Sequence, residues 1–279
     1  MKALLERVDV NLNTTDGDGE TPLFRAACEG HEAIVKTLLG RMDVDPNIPN
    51  KYGQTPLFAA VWDEHEGVVK ALLGRVDVDP NAATESGQTP LFRATCEGHE
   101  GVVETLLERV DVNPNTTNQD SETPLFRAAW NGHEGVVKAL LGRADVNLNT
   151  TNNDGETPLF RAACEGHEGV VKALLERVDV NPNTTDEDGE TPLFRAACEG
   201  HEGIVKTLLE RVDVNFDITN PTGKTALSQA LKHGHHAIVK LLSERQNSIL
   251  LSGSDKSATF SSARPSDLDQ RPPKRIRRF

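Results

Sequence analysis

Aromatic residues are scarce in this chain. Phe, Trp and Tyr make up 4% of its 279 residues, with two tryptophans and a single tyrosine, Tyr52. A thick globular core of this length needs more large side chains, whereas a thin, extended stack built on Leu, Val and Ala does not. No apolar run approaches the length that spans a bilayer. Lys2, Glu6, Arg7 and Asp9 interrupt any signal-peptide core at the N-terminus. The expected product is soluble and intracellular. Enzyme signatures are also missing: there is no Gly-rich phosphate loop and no nucleophile elbow. Neither catalysis nor a cofactor is expected.

Charge is unevenly placed. Residues 246–279 carry seven basic groups against three acidic ones, which is +4; taken from the net −13, this leaves −17 for residues 1–245. An acidic body of this kind repels nucleic-acid phosphates and anionic membranes and favours basic protein surfaces.

What the chain does have is a repeat. Thr-Pro-Leu-Phe occurs at Thr21, Thr55, Thr89, Thr123, Thr157 and Thr191, each 34 residues after the last, with a degenerate copy at Thr225-Ala226-Leu227. Ten residues after each Thr comes His31, His65, His99, His133, His167, His201 or His235, preceded by Gly everywhere except at Glu64. Paired branched residues and paired leucines follow, as in Ile34-Val35 and Leu38-Leu39. A 34-residue period is also that of tetratricopeptide repeats, but one tyrosine cannot supply the Trp and Tyr that each such unit requires.

The pattern Thr-Pro-Leu-x-x-Ala-Ala-x-x-Gly-His, then Val-Val-x-x-Leu-Leu, then Asp-Val-Asn, resembles the ankyrin repeat over about residues 1–245. The near-identical, Asn-Pro-Asn-containing units look like the arrays expanded in filamentous fungi. The resemblance implies an all-α solenoid of helix-turn-helix units with β-hairpin-like finger loops. It also implies a protein-binding module whose first helices and finger tips line a concave groove. Two features depart from the family. Phe24, Phe58, Phe92, Phe126, Phe160 and Phe194 stand where a histidine is usual, exchanging a polar link for apolar burial of roughly 1.5–3 kcal/mol per ring. The unit is also one residue longer than the usual 33, which predicts a longer finger loop and unchanged helices.

The residues support these helices independently. Thr21 is a good N-cap, and Pro22 suits the first helical position because its missing N–H has no helical partner in any case. Gly30 ends the first helix, and Ile34, Val35, Leu38 and Leu39 form one apolar stripe on the second. Asp18-Gly19, Asp154-Gly155 and Asp188-Gly189 signal hairpin turns before the next cap. Helices of about eight to ten residues are too short to stand alone, so neighbouring units must hold them by stacking.

Three segments are expected: a partial N-terminal repeat at 1–20, the array at 21–245, and a disordered Ser-rich tail at 246–279 with a basic end. Residues 1–13 copy 171–183 except for Met1 and Leu12, so the chain starts inside a second helix. Exposed Leu4, Leu5 and Val8 predict further sequence upstream. At the other end, Gln229, Lys232, His233, Ser243, Glu244 and Arg245 read as a polar cap.

Cys28, Cys96, Cys164 and Cys198 share one repeat position. Stacked units lie roughly 10 Å apart, beyond the ~7 Å that a disulfide tolerates between Cα atoms, so free thiols and a reducing compartment are expected. Cys28-x-x-His31 offers two ligands per unit, short of a tetrahedral zinc site, and the histidines are assigned to the turn between helices. The Asn-x-Thr sequons at Asn13, Asn115, Asn149 and Asn183 are placed in the finger turns.

Arg25, Ala59, Arg93, Arg127, Arg161, Arg195 and Gln229 occupy one helix position, and the Cys28 position holds Trp62 and Trp130 in two units. Spacings of three and four put both positions on one face of the first helix. The resemblance assigns that face to the concave groove, so Arg25, Trp62, Arg93, Arg127, Trp130, Arg161 and Arg195 are the candidate partner-binding residues. Trp62 and Trp130 lead, as the residue type most enriched in binding hot spots. Pairing of these arginines with neighbouring glutamates as a solvated ladder is the plainer alternative. Lys274, Arg275, Arg277 and Arg278 form a candidate nuclear-import signal, with a solubilising end as the alternative. The expectation is a monomeric scaffold for a protein partner, cytoplasmic or nuclear. Two rivals remain open, the ligand-sensing end of a larger NTPase-containing signalling protein and a nuclear regulatory adaptor.

Overall fold

A computed structural model describes residues 10–258, with side chains through Ser248. The expectations for Leu4, Leu5 and Val8 and for Lys274, Arg275, Arg277 and Arg278 fall outside these residues. Among the described residues there are fourteen helices and no strand. Seven units each pair a first helix with a second. The first helices are α1 (Pro22–Cys28), α3 (Pro56–Trp62), α5 (Pro90–Glu97), α7 (Pro124–Trp130), α9 (Pro158–Glu165), α11 (Pro192–Glu199) and α13 (Ala226–His233). The second helices are α2 (Glu32–Leu39), α4 (Glu66–Leu73), α6 (Glu100–Leu107), α8 (Glu134–Leu141), α10 (Glu168–Leu175), α12 (Glu202–Glu210) and α14 (His236–Ala258).

Each first helix starts as its sequence dictates. The Thr hydroxyl accepts from the N–H three residues on, at 3.1 Å for Thr21 and Phe24 and 3.3 Å for Thr55 and Phe58. Pro occupies the first turn in six units. In the seventh, Thr225 and Ser228 cap each other reciprocally. Gly98 ends α5 at φ +78°, and a Cβ there would lie 2.7 Å from the His133 ring of the next unit. Glycine is required both by backbone and by space.

First helices pack on first helices and second on second, giving two layers. One apolar cluster runs from Leu12 to Leu242 through the whole stack. The six phenylalanines that replace histidine are at most 3% exposed, so the apolar exchange is realised in every unit.

Side chains also tie each unit to the next. Asn115 donates Nδ2–H to the Asp145 carbonyl at 2.7 Å and accepts from the Asn147 N–H at 2.7 Å. Asn13, Asn47, Asn81, Asn149 and Asn183 make the same pair of bonds, 30 and 32 residues on. The sequon asparagines therefore bridge units from the loops that follow the second helices, where Asn13, Asn115 and Asn183 stand in turns. The finger tips are closed at residues such as Asn50, whose N–H donates to the Gln54 carbonyl while its Oδ1 accepts from the Tyr52 and Gln54 N–H groups. Arg109 grips Asp111 through Nε and Nη2, at 2.9 and 2.5 Å, and reaches back with Nη1 to the carbonyls of Leu73 and Arg75. His99 donates from Nε2 to the Trp62 carbonyl at 3.3 Å, and five other histidines repeat that link.

The far end differs from expectation in two respects. The last helix continues to Ala258, so the boundary drawn at 246 falls inside a helix; no Gly or Pro interrupts residues 235–252. Gln229, read as part of a polar cap, is 5% exposed. Lys232, His233 and Glu244 are exposed.

Candidate functional site

The face shared by the first helices and the finger turns gathers all seven candidate groove residues. The N-capping Thr fixes where each first helix begins, and its fifth residue then holds Arg, Ala or Gln while its eighth holds Cys, Trp or Lys, counting Thr as the first. Every arginine on this face has a carboxylate partner. Arg25 pairs with Glu20 at 3.0 Å, Arg93 with Glu97 at 2.6 Å and Arg127 with Glu122 at 3.4 Å. Arg161 sits between Glu156 and Glu165, and Arg195 between Glu190 and Glu199. The arginine–glutamate ladder is thus present, and it occupies the guanidinium groups.

The two tryptophans fare differently within it. The Arg93 guanidinium carbon lies 3.6 Å from the Trp62 ring centre, and Phe58 meets the same indole edge-on at 6.0 Å. Trp62 nevertheless remains 43% exposed. Trp130 is half-buried, with Arg127 and Arg161 over its ring at 4.5 and 3.9 Å. The first indole is the more exposed of the two.

Two cavities flank Trp62. One, of 270 Å³, lies towards unit one and is lined by Glu20, Phe24, Cys28, Tyr52, Trp62 and Asp63 among others. The other, of 420 Å³, lies towards unit three, between Tyr52, Phe58, Trp62, Arg93 and the finger at 84–88. Tyr52, on the finger tip and 57% exposed, lines both. Sequence reasoning passed over this residue. Its rarity as the lone tyrosine was the available signal. A larger cavity of 560 Å³ on the second helices is lined mainly by charged side chains such as Glu168, Lys172 and Glu210. Glu168 and Lys172 pair with each other at 2.6 Å.

All four cysteines are free, and burial pushes the Cys96 thiol up to about 11 and raises those of Cys28 and Cys198, keeping them protonated. Among the described residues, no group of three or more His, Cys, Asp or Glu is placed to hold a metal. No helix among them is long and apolar enough to cross a membrane.

A family model described as ankyrin repeats (3 copies) matches residues 1–84, 69–152, 111–186 and 178–258. The ankyrin repeat domain of Bcl-3, a member of the IkappaB protein family, superposes with a TM-score of 0.71 at 26% identity, covering 80% of this chain and 99% of that one. The human ASB11 ankyrin repeat domain gives 0.65 at 28% identity, covering 79% and 97%. Among curated proteins, no sequence matches.

Proposed function

Since the chain belongs to the ankyrin-repeat family, whose repeats are generally protein–protein interaction modules, we propose that it is a non-catalytic scaffold binding a partner protein through its concave groove. The observation that carries this reading is Trp62. A 43% exposed indole stands between two cavities, beside the 57% exposed Tyr52 that lines both. A hot-spot indole in such a setting contributes more than about 2 kcal/mol of binding, roughly thirtyfold in affinity. The acidic body, −17 over residues 1–245, favours a basic partner and speeds encounter at low salt.

In this reading the protein acts as a monomer, with Trp62 at the centre of the contact and Arg25, Arg93, Arg127, Trp130, Arg161 and Arg195 around it. Import into the nucleus through Lys274, Arg275, Arg277 and Arg278 is a separate part of the proposal. Fluorescence microscopy with and without residues 271–279 tests it: equal distribution of the two forms removes it. The scaffold itself is tested by affinity capture with the full chain and identification of what it retains. Trp62→Ala should abolish capture of the principal partner, and Trp130→Ala should weaken it less, because that ring is closed between two guanidinium groups. Normal capture by Trp62→Ala, together with loss through substitutions on the second helices, would place the binding face elsewhere.

A further inference from the structure

Within units one to six, one rung of the arginine ladder is missing. In units three, five and six the arginine reaches back towards the residue at the Cys28 position of the unit before. Arg93 covers Trp62 at 3.6 Å, Arg161 covers Trp130 at 3.9 Å, and Arg195 Nη2 lies 3.6 Å from Cys164 Sγ. Arg93, Arg161 and Arg195 each also hold the carboxylate four residues further along their own helix. In unit two the arginine is replaced by Ala59, while the acid four residues on remains as Asp63.

The space vacated by that side chain is the 270 Å³ cavity. Its apolar walls are Phe24, Trp62 and Tyr52, and its acidic groups are Glu20 and Asp63. Glu20 is already held by Arg25 at 3.0 Å, and Lys51 beside Tyr52 is held by Asp18 at 2.5 Å. Among the described residues no ion pair engages Asp63, whose one polar contact is the Cys28 thiol at 3.9 Å. In unit four Arg127 lies over Trp130 of its own helix at 4.5 Å; unit two keeps the matching indole, Trp62, beside the carboxylate of Asp63 but has Ala59 in place of the arginine. A planar guanidinium suits both surfaces at once, stacking on an aromatic face while donating in a fork to a carboxylate. Resting on the scaffold reading, we propose that the gap at Ala59 receives one arginine side chain from the partner, completing the ladder in trans.

The test needs no partner, so its failure and that of the scaffold reading are separable. Acetyl-Gly-Arg-Gly-amide is titrated into the full chain at 0.15 M salt, with citrulline and lysine versions as controls. The indole N–H resonances of the two tryptophans are followed by NMR. The arginine peptide should move the Trp62 signal saturably and leave Trp130 in place. The citrulline and lysine peptides should bind at least about tenfold more weakly. Ala59→Arg, which fills the cavity from within, should remove the response, and Asp63→Asn should weaken it, giving a second variant should the first fold poorly. Equal saturation by the citrulline or lysine peptide overturns the proposal. So does an undiminished response in both variants, or no saturable shift at all.

Discussion

Arg93 lies across Trp62 at 3.6 Å while its Nη2 holds Glu97 at 2.6 Å. The same guanidinium thus joins two units and satisfies a carboxylate on its own helix. Its Nε is buried without a hydrogen-bond partner, as befits a group whose flat face is given to an aromatic ring. This contact covers one face of the indole and holds Arg93 between Trp62 and Glu97.

Removing that cover should be visible in the indole. Arg93→Ala in a Trp130→Phe background leaves Trp62 as the only tryptophan, and its emission should shift to longer wavelength as water reaches both faces. Stability should fall by about 0.5–2 kcal/mol. An unchanged spectrum would show that the stack does not persist in solution.

Leu174 is fully buried in α10, packed among residues of the continuous core. Leu174→Ala should cost about 2–5 kcal/mol in denaturant unfolding. Because stacking supports each unit, hydrogen exchange should accelerate in α8 and α12 as well as α10. Acceleration confined to α10 would contradict nearest-neighbour support.

The asparagine bridge makes a narrower prediction. Asn115→Ala removes two bonds of 2.7 Å between units three and four and should cost about 1–3 kcal/mol. Asn115→Asp keeps the acceptor and loses the donor, so it should fall between the two. A neutral alanine variant would show these bonds to be replaced by water without loss.

The contrast between what was legible and what was not follows from distance along the chain. The Thr caps and the buried phenylalanines were readable because Thr21 acts on Phe24, three residues away. The groove face was readable because helical spacing alone puts Arg25 and Cys28 on one side. The bridges were not, because Asn115 meets Asp145 and His99 meets Trp62 across 30 and 37 residues. Nothing local distinguishes such an asparagine from a turn residue, although its recurrence at the 34-residue period was a usable sign. Trp130 was expected to stand open with Trp62. Its second cover comes from Arg161 in the next unit, which only the stacked geometry reveals. Tyr52 became a groove residue for the same reason, since the finger folds beside a helix that follows it.

Acid should loosen the stack. Hydrogen bonds from the arginine two residues earlier hold the carboxyls of Asp43, Asp77, Asp111, Asp145, Asp179 and Asp213 below the usual range. Their unfolded values lie near 3.9, so between the two values the unfolded chain binds protons that the folded chain does not. Their stabilisation is therefore present above about pH 4 and is lost as pH falls through the folded values. Burial raises Glu156 and Asp186, which act in the opposite sense but are fewer. Urea midpoints should decline from pH 5 to pH 3, and Arg109→Gln should flatten the decline. A midpoint constant across that range would contradict a stabilising role for these arginine–aspartate pairs.

The central claim is that a partner sits in the groove around Trp62, and hydrogen exchange of the complex tests it most directly. With the captured partner bound, amides of the fingers at 50–54 and 84–88 and of α3 and α5 should gain protection, while α4 and α6 should exchange as in the free protein. Protection gained on α4 and α6, with the fingers and first helices unchanged, would contradict the account.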